Sequence, residues 1–377
     1  MNRILLISYL PPSRGHAGGQ RILDLYSELK CIEPSLHVSL LTCDVQSCNL
    51  EQLEEAFDEV LCIPEKQFTK YYVYKLNFKC TEFDVIDLQY HQSGALIGFV
   101  RKRWPGAKLI FAPMESQLRT FQIELKKKKS LLSRSWRSIL GLALNALTEV
   151  LYVIRADQVV TVSDKDRQVI DFWRPTGGVA CLPTCISQEV ASIGGSLKVT
   201  KESSTVVFFA YFGSRTNQEA LYWFVKEVHP AICKVLPNYR FRVVGHGLTE
   251  ELLEVCAIDQ VEIVGAVNTI FDAIEGAAVG ISPALSGAGV RGKIHQYAEL
   301  GLPTVASPIA CEGLAYQHGE SIFIADTAHE FAEACIGLLR DEKFRDAIGN
   351  KANEVCRNHY QWPSWRTEMV SIYELDN

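Results

Sequence analysis

The sequence has no strong excess of positive or negative charge, and its charges are not distributed as a single basic surface would require. Lys and Arg number 38 and Asp and Glu number 44, a formal net charge of −6. Residues 1–185 carry 23 basic against 20 acidic side chains, and the remainder carries 15 against 24. General nucleic-acid binding needs one continuous basic face, which this distribution does not provide. With 47% hydrophobic and 22% charged residues, the 377-residue chain is expected to form two globular domains of about 180 residues each.

Metal-site and export signals are also missing. None of the twelve cysteines forms a Cys-x-x-Cys pair, and Cys181 and Cys185 have no second pair of ligands with zinc-site spacing. The N-terminus is charged and then apolar, but Pro11 and Pro12 end the short apolar run without a small-residue cleavage site. This run is better interpreted as a first buried strand. Unpaired cysteines without an export signal predict a reducing, cytoplasmic location.

The longest apolar run, residues 139–154, is too short and too polar to span a membrane. It contains Asn145, Thr148 and Glu149, and its polar positions recur every three or four residues. This period predicts an amphipathic helix packed on its own domain. Six cations precede the run, namely Lys126, Lys127, Lys128, Lys129, Arg134 and Arg137. They are interpreted either as a solvated surface loop or as a peripheral contact with anionic lipid at the inner face of the membrane.

Buried-strand runs alternate with helical periods twice along the chain. In the first half these runs are residues 3–10, 37–42, 59–63, 84–89, 108–112 and 157–162, all rich in Val, Ile or Leu, as strands of a parallel sheet should be. A polar segment with paired glycines and serines, residues 187–204, is interpreted as a linker. We therefore predict an α/β protein of two Rossmann-like doubly wound domains, residues 1–186 and 205–358, that face a ligand-binding cleft. Residues 359–377 form a closing segment.

The stretch from Pro283 to Pro308 combines the features of a phosphate site. A glycine-rich turn is followed by the cations Arg291 and Lys293 and by a helical run. Glycine lets a backbone approach a ligand, and a helix N-terminus presents unpaired N–H groups and the positive end of the helix dipole. A glycine turn alone is more often an ordinary strand-to-helix connection, but the two adjacent cations favour a diphosphate. The first glycine loop, before residue 20, lacks the G-x-G-x-x-G dinucleotide fingerprint.

Residues 289–314, GVRGKIHQYAELGLPTVASPIACEGL, resemble the donor-binding region of GT-B glycosyltransferases of glycosyltransferase family 4. A second similar block begins at Phe212-Gly213-Ser214 and includes Asn217 and Glu219-Ala220-Leu221. Residues 156–164 are similar to the last N-domain strand of the family. The resemblance covers nearly the whole chain and is thin between residues 44 and 108. It implies that residues 1–186 bind the acceptor, that residues 205–358 bind a nucleotide-sugar donor, and that residues 359–377 cross back to the first domain.

The resemblance also implies a set of donor-binding residues. Catalysis with such a donor consists largely of stabilising the diphosphate leaving group. Three cations, Arg215, Arg291 and Lys293, are assigned to it, although each could instead be a surface cation. The complete predicted donor set is Gly18, Gly19, Gly213, Arg215, Gly289, Val290, Arg291, Lys293, Gln296 and Glu312. No metal or other cofactor is expected, because no Asp-x-Asp motif stands beside these residues to hold one.

Two positions depart from the family pattern. Many members carry two glutamates separated by seven residues, where this chain has Ala288 and Gln296. A glutamine amide can hydrogen-bond a ribose diol but cannot act as an acid or base. No catalytic carboxylate can therefore be assigned from this motif. Glu312 matches the family pattern and could meet donor hydroxyls, whereas Glu299 is expected to be solvated.

Candidate catalytic residues come from the first domain. Glu115 follows the strand that ends at Ala112, where many relatives have His or Asp, so it is a candidate to touch the acceptor or the donor sugar. The alternatives are a helix N-cap at Ser116 and plain exposure of Glu115. His91 follows the strand at residues 84–89, and its near-neutral pKa suits acid–base chemistry. An isolated histidine is also often structural.

Together these features predict a metal-independent glycosyltransferase that moves a hexosyl or deoxyhexosyl group from a nucleotide sugar to a hydroxyl acceptor. Retention of anomeric configuration is implied by the resemblance alone. A saccharide or lipid-linked acceptor, and hence polysaccharide or lipid-linked glycan synthesis, suits the basic cluster. The alternative is a non-catalytic glycosyltransferase-like binding or partner subunit, which the missing glutamates favour. A periplasmic-type two-domain binding protein is disfavoured by the cysteines and the absent signal.

Overall fold

The computed structural model describes residues 2–14, 17–45, 49–126, 136–186, 188–193, 204–267, 269–286 and 292–375. The chain divides into two compact units. The first unit contains residues Met1–Thr184 and Trp365–Asn377, and the second contains residues Cys185–Ser364. The C-terminal segment therefore belongs to the first unit from Trp365 onward.

The first unit is built on a seven-stranded sheet. Its strands are β1 (Arg3–Ser8), β2 (His37–Asp44), β3 (Glu59–Pro64), β4 (Val85–Gln89), β5 (Lys108–Ala112), β6 (Gln158–Thr161) and β7 (Val179–Cys181). They lie in the order β3-β2-β1-β4-β5-β6-β7, and every neighbouring pair is parallel. The central strands β1 and β4 are buried almost throughout, which explains their uninterrupted apolar sequences.

The helices of this unit connect successive strands. They are α1 (Ala17–Ile32), α2 (Leu50–Ala56), α3 (Lys70–Lys75), α4 (Ile97–Arg103), α5 (Gln117–Lys126), α6 (Trp136–Arg155) and α7 (Asp164–Trp173), with 3₁₀ turns at Glu65–Gln67 and His91–Leu96. Strand, helix and parallel strand in succession place all the βα loops at the carboxyl ends of the strands, which is the ligand-binding edge of such a sheet.

The second unit repeats the plan with six strands. They are β8 (Thr205–Phe209), β9 (Arg240–Val244), β10 (Val261–Gly265), β11 (Val279–Ser282), β12 (Thr304–Ala306) and β13 (Phe323–Ile324). The order is β10-β9-β8-β11-β12-β13, again with parallel neighbours only. The sequence missed β7 and β13 because each is only two or three residues long and half-buried, which is too short for a periodic pattern.

The helices of the second unit are α8 (Gln188–Ile193), α9 (Arg215–Trp223), α10 (His229–Val235), α11 (Glu250–Cys256), α12 (Ile270–Ile274), α13 (Gly292–Glu299), α14 (Pro308–Cys311), α15 (Ala328–Arg340) and α16 (Glu342–His359), with a π-helical turn at Phe224–Val228 and a 3₁₀ turn at Trp362–Trp365. The last helix of the chain, α17 (Arg366–Tyr373), lies in the first unit. Part of the segment predicted as a linker is helical, since α8 falls within it and Val190 is buried in the second core.

A buried carboxyl group fastens α17 to the first unit. Asp87 lies on β4 and is completely buried. Its Oδ2 accepts hydrogen bonds from the hydroxyls of Tyr26 at 2.8 Å and Tyr373 at 2.9 Å and from Gln89 Nε2 at 2.8 Å. Burial raises the pKa of Asp87 above its ordinary value. Arg366, at the start of α17, adds a bond of 2.6 Å from Nε to Oε1 of the buried Glu28.

Helix α6 packs on its own unit, but its buried face includes an acidic residue and one row of its large apolar side chains is exposed. The polar residue Glu149 is fully buried, together with Ala146 and Val153. Five of its large apolar side chains are exposed instead: Leu140, Leu144, Leu147, Leu151 and Ile154. Among the residues described, no helix is long and apolar enough to cross a membrane.

Two helical glycines give a matched test of close packing in the second unit. A Cβ on Gly349 of α16 would lie 2.1 Å from the carbonyl oxygen of Gly301, whereas a Cβ on Gly337 of α15 would meet nothing within 4 Å. We expect Gly349→Ala to lower the free energy of unfolding by about 1–3 kcal/mol, because a backbone contact must open. We expect Gly337→Ala to raise it by about 0.5–1 kcal/mol, because alanine favours the helix. Urea denaturation of both variants checks this, and equal effects would contradict the packing described.

Candidate functional site

The carboxyl edge of the second sheet is shaped by close backbone approach. The two segments that follow β8 and β9 remain hydrogen-bonded to each other. Ala210 N donates to Val244 O at 3.0 Å, and Phe212 N donates to His246 O at 2.8 Å. Glycine permits this: Gly245 has φ 135°, and a Cβ there would lie 1.8 Å from the carbonyl oxygen of Ala210. The two loops therefore form one continuous rim at the end of the sheet.

Gly213, one of the predicted donor residues, lies in this rim. A Cβ on Gly213 would lie 2.2 Å from the ring of Tyr211, which is half exposed and has its centroid 4.8 Å from that of His246. The space opened by the glycine thus holds an aromatic ring in this structure. Sequence patterns did not single out Tyr211 or His246, because neither residue belongs to a motif.

Helix α9 begins immediately after this rim, at Arg215. Its N-cap residue is Ser214, whose side chain accepts no hydrogen bond from the first turn. The first-turn N–H groups are therefore not capped by a side chain at the ligand edge of the sheet. Such an end attracts anions through its N–H groups and its dipole.

Two of the predicted cations lie beside this helix. Arg215 Nε contacts Glu219 Oε1 at 2.7 Å, and its side chain is 90% exposed. Lys293 Nζ lies 3.3 Å from Asn217 Oδ1 and 4.5 Å from the ring centroid of Phe208. Since Asn217 and Glu219 share one turn of α9, the structure brings Arg215 and Lys293 to the same end of that helix.

Ser286, the last described residue before the predicted glycine turn, also contacts α9. Ser286 Oγ donates to Glu219 Oε2 at 3.3 Å. The predicted residues Gly289, Val290 and Arg291 lie outside the described residues. Glu219 therefore links both sides of the candidate anion site, which makes it a positioning residue for Arg215.

Helix α13 is held at this edge by a buried tyrosine. The hydroxyl of Tyr297 accepts a hydrogen bond of 2.9 Å from Phe209 N, and its ring packs on Gly280, where a Cβ would lie 2.6 Å from the ring. This contact holds one face of the helix at the carboxyl edge of the sheet. That face carries Lys293 and the half-buried Gln296, which lie three residues apart. Glu312 is exposed directly after α14.

The expectation that Glu299 is solvated is wrong. Its side chain has no exposed area; it accepts a 3.0 Å hydrogen bond from Gln361 and lies 3.8 Å from Arg357 Nε. Burial raises the pKa of Glu299. Helical spacing placed this residue one turn beyond Gln296, but only the packing of the closing segment of the second unit determines which face is covered.

In the first unit, Gly18 and Gly19 lie in the first turn of α1 and not in a loop. A Cβ on Gly18 would lie 2.5 Å from the hydroxyl of Tyr90. Tyr90 follows β4 with φ 69°, and Met114 follows β5 with φ 66°. Left-handed backbone at non-glycine residues is costly and is concentrated at functional sites, so both strand ends are held in unusual conformations at the ligand edge.

His91 is half-buried beside Tyr90. Its Nε2 lies 3.2 Å from Thr148 Oγ1, and its ring centroid lies 5.3 Å from that of Tyr152. Since Thr148 donates its proton to Asn145 O at 2.9 Å, we assign Nε2 as the donor of His91, which leaves Nδ1 as the acceptor nitrogen. Burial lowers the pKa of His91, so the neutral imidazole is favoured.

Glu115 is exposed at the same edge, after Met114. The helix N-cap considered for the next residue, Ser116, is observed. Ser116 Oγ accepts a 3.2 Å hydrogen bond from Arg119 N and caps α5. The carboxyl group of Glu149 completes this cap. Glu149 accepts from Ser116 Oγ at 2.9 Å, Gln117 N at 3.1 Å and Leu118 N at 2.8 Å.

Among the described residues, no three His, Cys, Asp or Glu side chains are grouped closely enough to hold a metal ion. The one Asp-x-Asp spacing in the chain, Asp164 and Asp166, begins α7 in the first unit. Asp166 is buried against Arg119, with Nη1 and Oδ1 3.3 Å apart, and accepts from Ser163 Oγ at 2.7 Å. Asp166 therefore fixes the start of α7.

Comparisons with known proteins agree with this architecture. Residues 203–341 match the family model described as glycosyl transferases group 1. Sucrose-phosphate synthase from Thermosynechococcus elongatus superposes with a TM-score of 0.70 at 15% identity, over 99% of this chain and 98% of that one. Anabaena HepE, in complex with UDP and glucose, gives 0.68 at 15% over the same shares, and TarM gives 0.68 at 9% over 100% and 99%.

One curated relative is similar in sequence, an uncharacterized 44.6 kDa protein in the cps region of Klebsiella pneumoniae. It is 26% identical over 171 residues, which are 43% of this chain and 44% of that protein. The match thus spans less than half the length of the relative.

Two parallel Rossmann-like sheets, together with these structural relatives, define the GT-B fold. Within it, residues 203–341 are similar to the glycosyl transferases group 1 family model. The predicted fold class and the family resemblance are confirmed.

The buried cap at Glu149 gives a pH-dependent test. Burial raises the pKa of Glu149 from 4.5 to about 7. The proton on Glu149 stabilises the folded state. This stabilisation is fully present below pH 4.5 and is lost as the pH rises through about 7, because the folded protein binds the proton more tightly than the unfolded chain does. Glu149→Gln has no such titration. We expect the free energy of unfolding of this variant, relative to the parent, to rise by up to about 3 kcal/mol between pH 4.5 and pH 8.

Urea denaturation across this pH range measures the difference. Glu55→Gln, an exposed carboxylate on α2, is the matched control and should track the parent protein. A constant difference between Glu149→Gln and the parent at all pH values would contradict the buried, proton-binding cap.

Proposed function

We propose that this protein transfers a sugar from a nucleotide-sugar donor to a hydroxyl acceptor. The observation that carries the proposal is the joining of Arg215 and Lys293 through Asn217 and Glu219 at the start of α9. The family of residues 203–341 and the UDP and glucose bound to HepE support it. The chemistry assigned to the site follows from the charge of a diphosphate.

A nucleoside diphosphate is the leaving group, so negative charge grows on its phosphates as the glycosidic bond breaks. Lys293 and Arg215 stabilise this charge, and the N–H groups at the start of α9 contribute without a proton transfer. Arg291, Gly289 and Val290, which lie outside the described residues, are further proposed donor-binding residues, and Gln296 hydrogen-bonds the ribose diol. Glu312 meets hydroxyls of the donor sugar. In this proposal the two cations provide the neutralisation that a metal ion would otherwise supply.

The first unit provides the acceptor side. His91 is the proposed proton acceptor of this unit, because burial favours its neutral imidazole near pH 7. Glu115 is the exposed carboxylate of the same edge and contacts a sugar hydroxyl. Gly18 and Gly19, in the first turn of α1, are the proposed phosphate-binding residues of this unit through their backbone N–H groups. Retention of configuration remains part of the proposal, as the family resemblance implies.

The proposed acceptor is a saccharide or a lipid-linked saccharide, in the synthesis of a polysaccharide or a lipid-linked glycan by a cytoplasmic enzyme of glycosyltransferase family 4. The proposed lipid contact of Lys126, Lys127, Lys128 and Lys129 falls on a segment outside the described structure, because residues 127–135 and the side chain of Lys126 are not described. The substitution of Ala288 and Gln296 for glutamates supports the second candidate, a non-catalytic binding subunit.

Donor binding can be tested with a matched pair of lysines. Calorimetric titration with a panel of nucleoside diphosphates and sugar nucleotides should show binding, with or without EDTA. Lys293→Met should weaken it by about 10- to 100-fold, because a charge-assisted hydrogen bond of about 1.5–3 kcal/mol is lost. Lys351→Met, on the exposed side of α16 and paired with Glu354, should leave it unchanged. No heat with any compound would remove the proposed function.

The catalytic assignment is tested by turnover. His91→Ala and Glu115→Gln should each lower sugar transfer by about 100-fold or more while leaving donor affinity unchanged, because general acid–base catalysis contributes on that scale. Chromatography of the donor and its free nucleoside diphosphate measures transfer and hydrolysis, and NMR of the anomeric proton shows the configuration. Donor binding without turnover over a broad set of acceptors would favour the binding subunit.

A further inference from the structure

Helix α6 carries a stripe of exposed apolar side chains along one side. Leu140, Leu144, Leu147, Leu151 and Ile154 are between 48% and 62% exposed. They are four and three residues apart in turn, so they lie along one side of a helix about 30 Å long. Contiguous exposed apolar surface of this kind marks an interaction site, whereas single exposed leucines need no explanation.

The exposed charged side chains of α6 that flank this stripe are both basic. Arg137 and Arg155 are exposed near the two ends of α6, each at the side of the stripe. The single acid of the helix, Glu149, is buried on the opposite side. An occupant of this surface must therefore be apolar along its length and negative at its margins.

A basic cavity adjoins the C-terminal end of the stripe. It has a volume of about 610 Å³ and is lined by Ile97, Gly98, Phe99, Arg101, Lys102 and Arg155. Arg101 is occupied by Asp157, with Nη2 and Oδ2 2.7 Å apart. Lys102 and Arg155 are exposed, so the cavity offers two cations above an apolar floor.

Aromatic side chains lie at the same end. Phe172 is 78% and Trp173 41% exposed, and their rings pack edge to face 5.4 Å apart. The next residue, Arg174, donates to the carbonyls of Val153 and Ala156 at 2.6 Å, which places the pair beside the last turn of α6. Aromatic residues of this kind are enriched where a protein meets the headgroup region of a bilayer.

We propose that the outward face of α6 docks on a membrane surface that contains anionic lipid. The five aliphatic side chains enter the boundary between headgroups and acyl chains, and Lys102, Arg137 and Arg155 bind lipid phosphates. A second copy of this chain fits less well. The stripe has coiled-coil spacing, but self-pairing would bring arginines together without an exposed acid on the helix to neutralise them.

The docked helix would also present the acceptor edge of the first unit to the lipid. Thr148 of α6 contacts His91, and Glu149 caps α5 beside Glu115, and both contacts lie at the carboxyl ends of β4 and β5. A lipid-linked acceptor would reach these residues without leaving the membrane. This consequence rests on the proposed transfer, whereas docking itself does not.

Vesicle flotation tests the docking independently of sugar transfer. The full chain should float with vesicles of phosphatidylcholine and phosphatidylglycerol and much less with phosphatidylcholine alone. Leu144→Glu with Leu151→Glu should lower the partition constant at least 30-fold. Leu253→Glu with Ile258→Glu, two positions equally exposed in the second unit, should have no effect. Circular dichroism confirms that each variant is folded.

A second variant tests the charged margin without touching the stripe. Each cation near an anionic surface contributes about fivefold, so Lys102→Gln with Arg155→Gln should lower the partition constant about 30-fold on the mixed vesicles alone. Equal binding of the parent and the stripe variant would overturn the proposal. A parent protein that dimerises in sedimentation equilibrium through this stripe and does not float would assign the face to a second copy instead.

Discussion

Parallel pairing is the constraint on which the rest of this structure depends. Every strand of both sheets runs in the same direction as its neighbours, so each unit has one edge at which all the strands end. Residues far apart in the chain must meet there: Phe208, Arg215 and Lys293 at one sheet, and Tyr90, His91 and Glu115 at the other. The chemistry of each unit is therefore concentrated in loops that a rigid, buried sheet holds in place.

Buried carboxyl groups support these edges. Asp87 binds the hydroxyls of two tyrosines and fixes α17, and Glu149 caps α5. Glu299 is the last residue of α13 and accepts a hydrogen bond from Gln361. Burial raises the pKa of all three, so each holds its proton more firmly in the folded protein than in the unfolded chain. Acids that sequence alone would assign to the surface or to catalysis thus position helices, whereas Glu115 and Glu312 are exposed.

The candidate anion site of the second unit combines neutral and charged groups. Asn217 and Glu219 orient Lys293 and Arg215 from one turn of α9, while glycines at 245 and 247 allow the two adjacent loops to approach closely. Tyr211 lies on Gly213 and so occupies the space that the glycine leaves. The same relation appears in the first unit between Tyr90 and Gly18. In both units, therefore, a glycine predicted to admit a ligand instead receives a tyrosine ring.

The sequence by itself determined the fold class, the two sheets and most of their strands, because burial on both faces of a parallel sheet demands long apolar runs that local patterns reveal. It also predicted Arg215, Lys293, His91 and Glu115 as candidate site residues, since each follows a recognisable strand end or motif. Only the tertiary structure decided which face of a helix is covered. Glu149 and Glu299 are buried and the leucines of α6 are exposed because burial depends on neighbours distant in the chain. The helical period of a sequence shows that two faces of a helix differ, but it does not show which face packs against the rest of the protein.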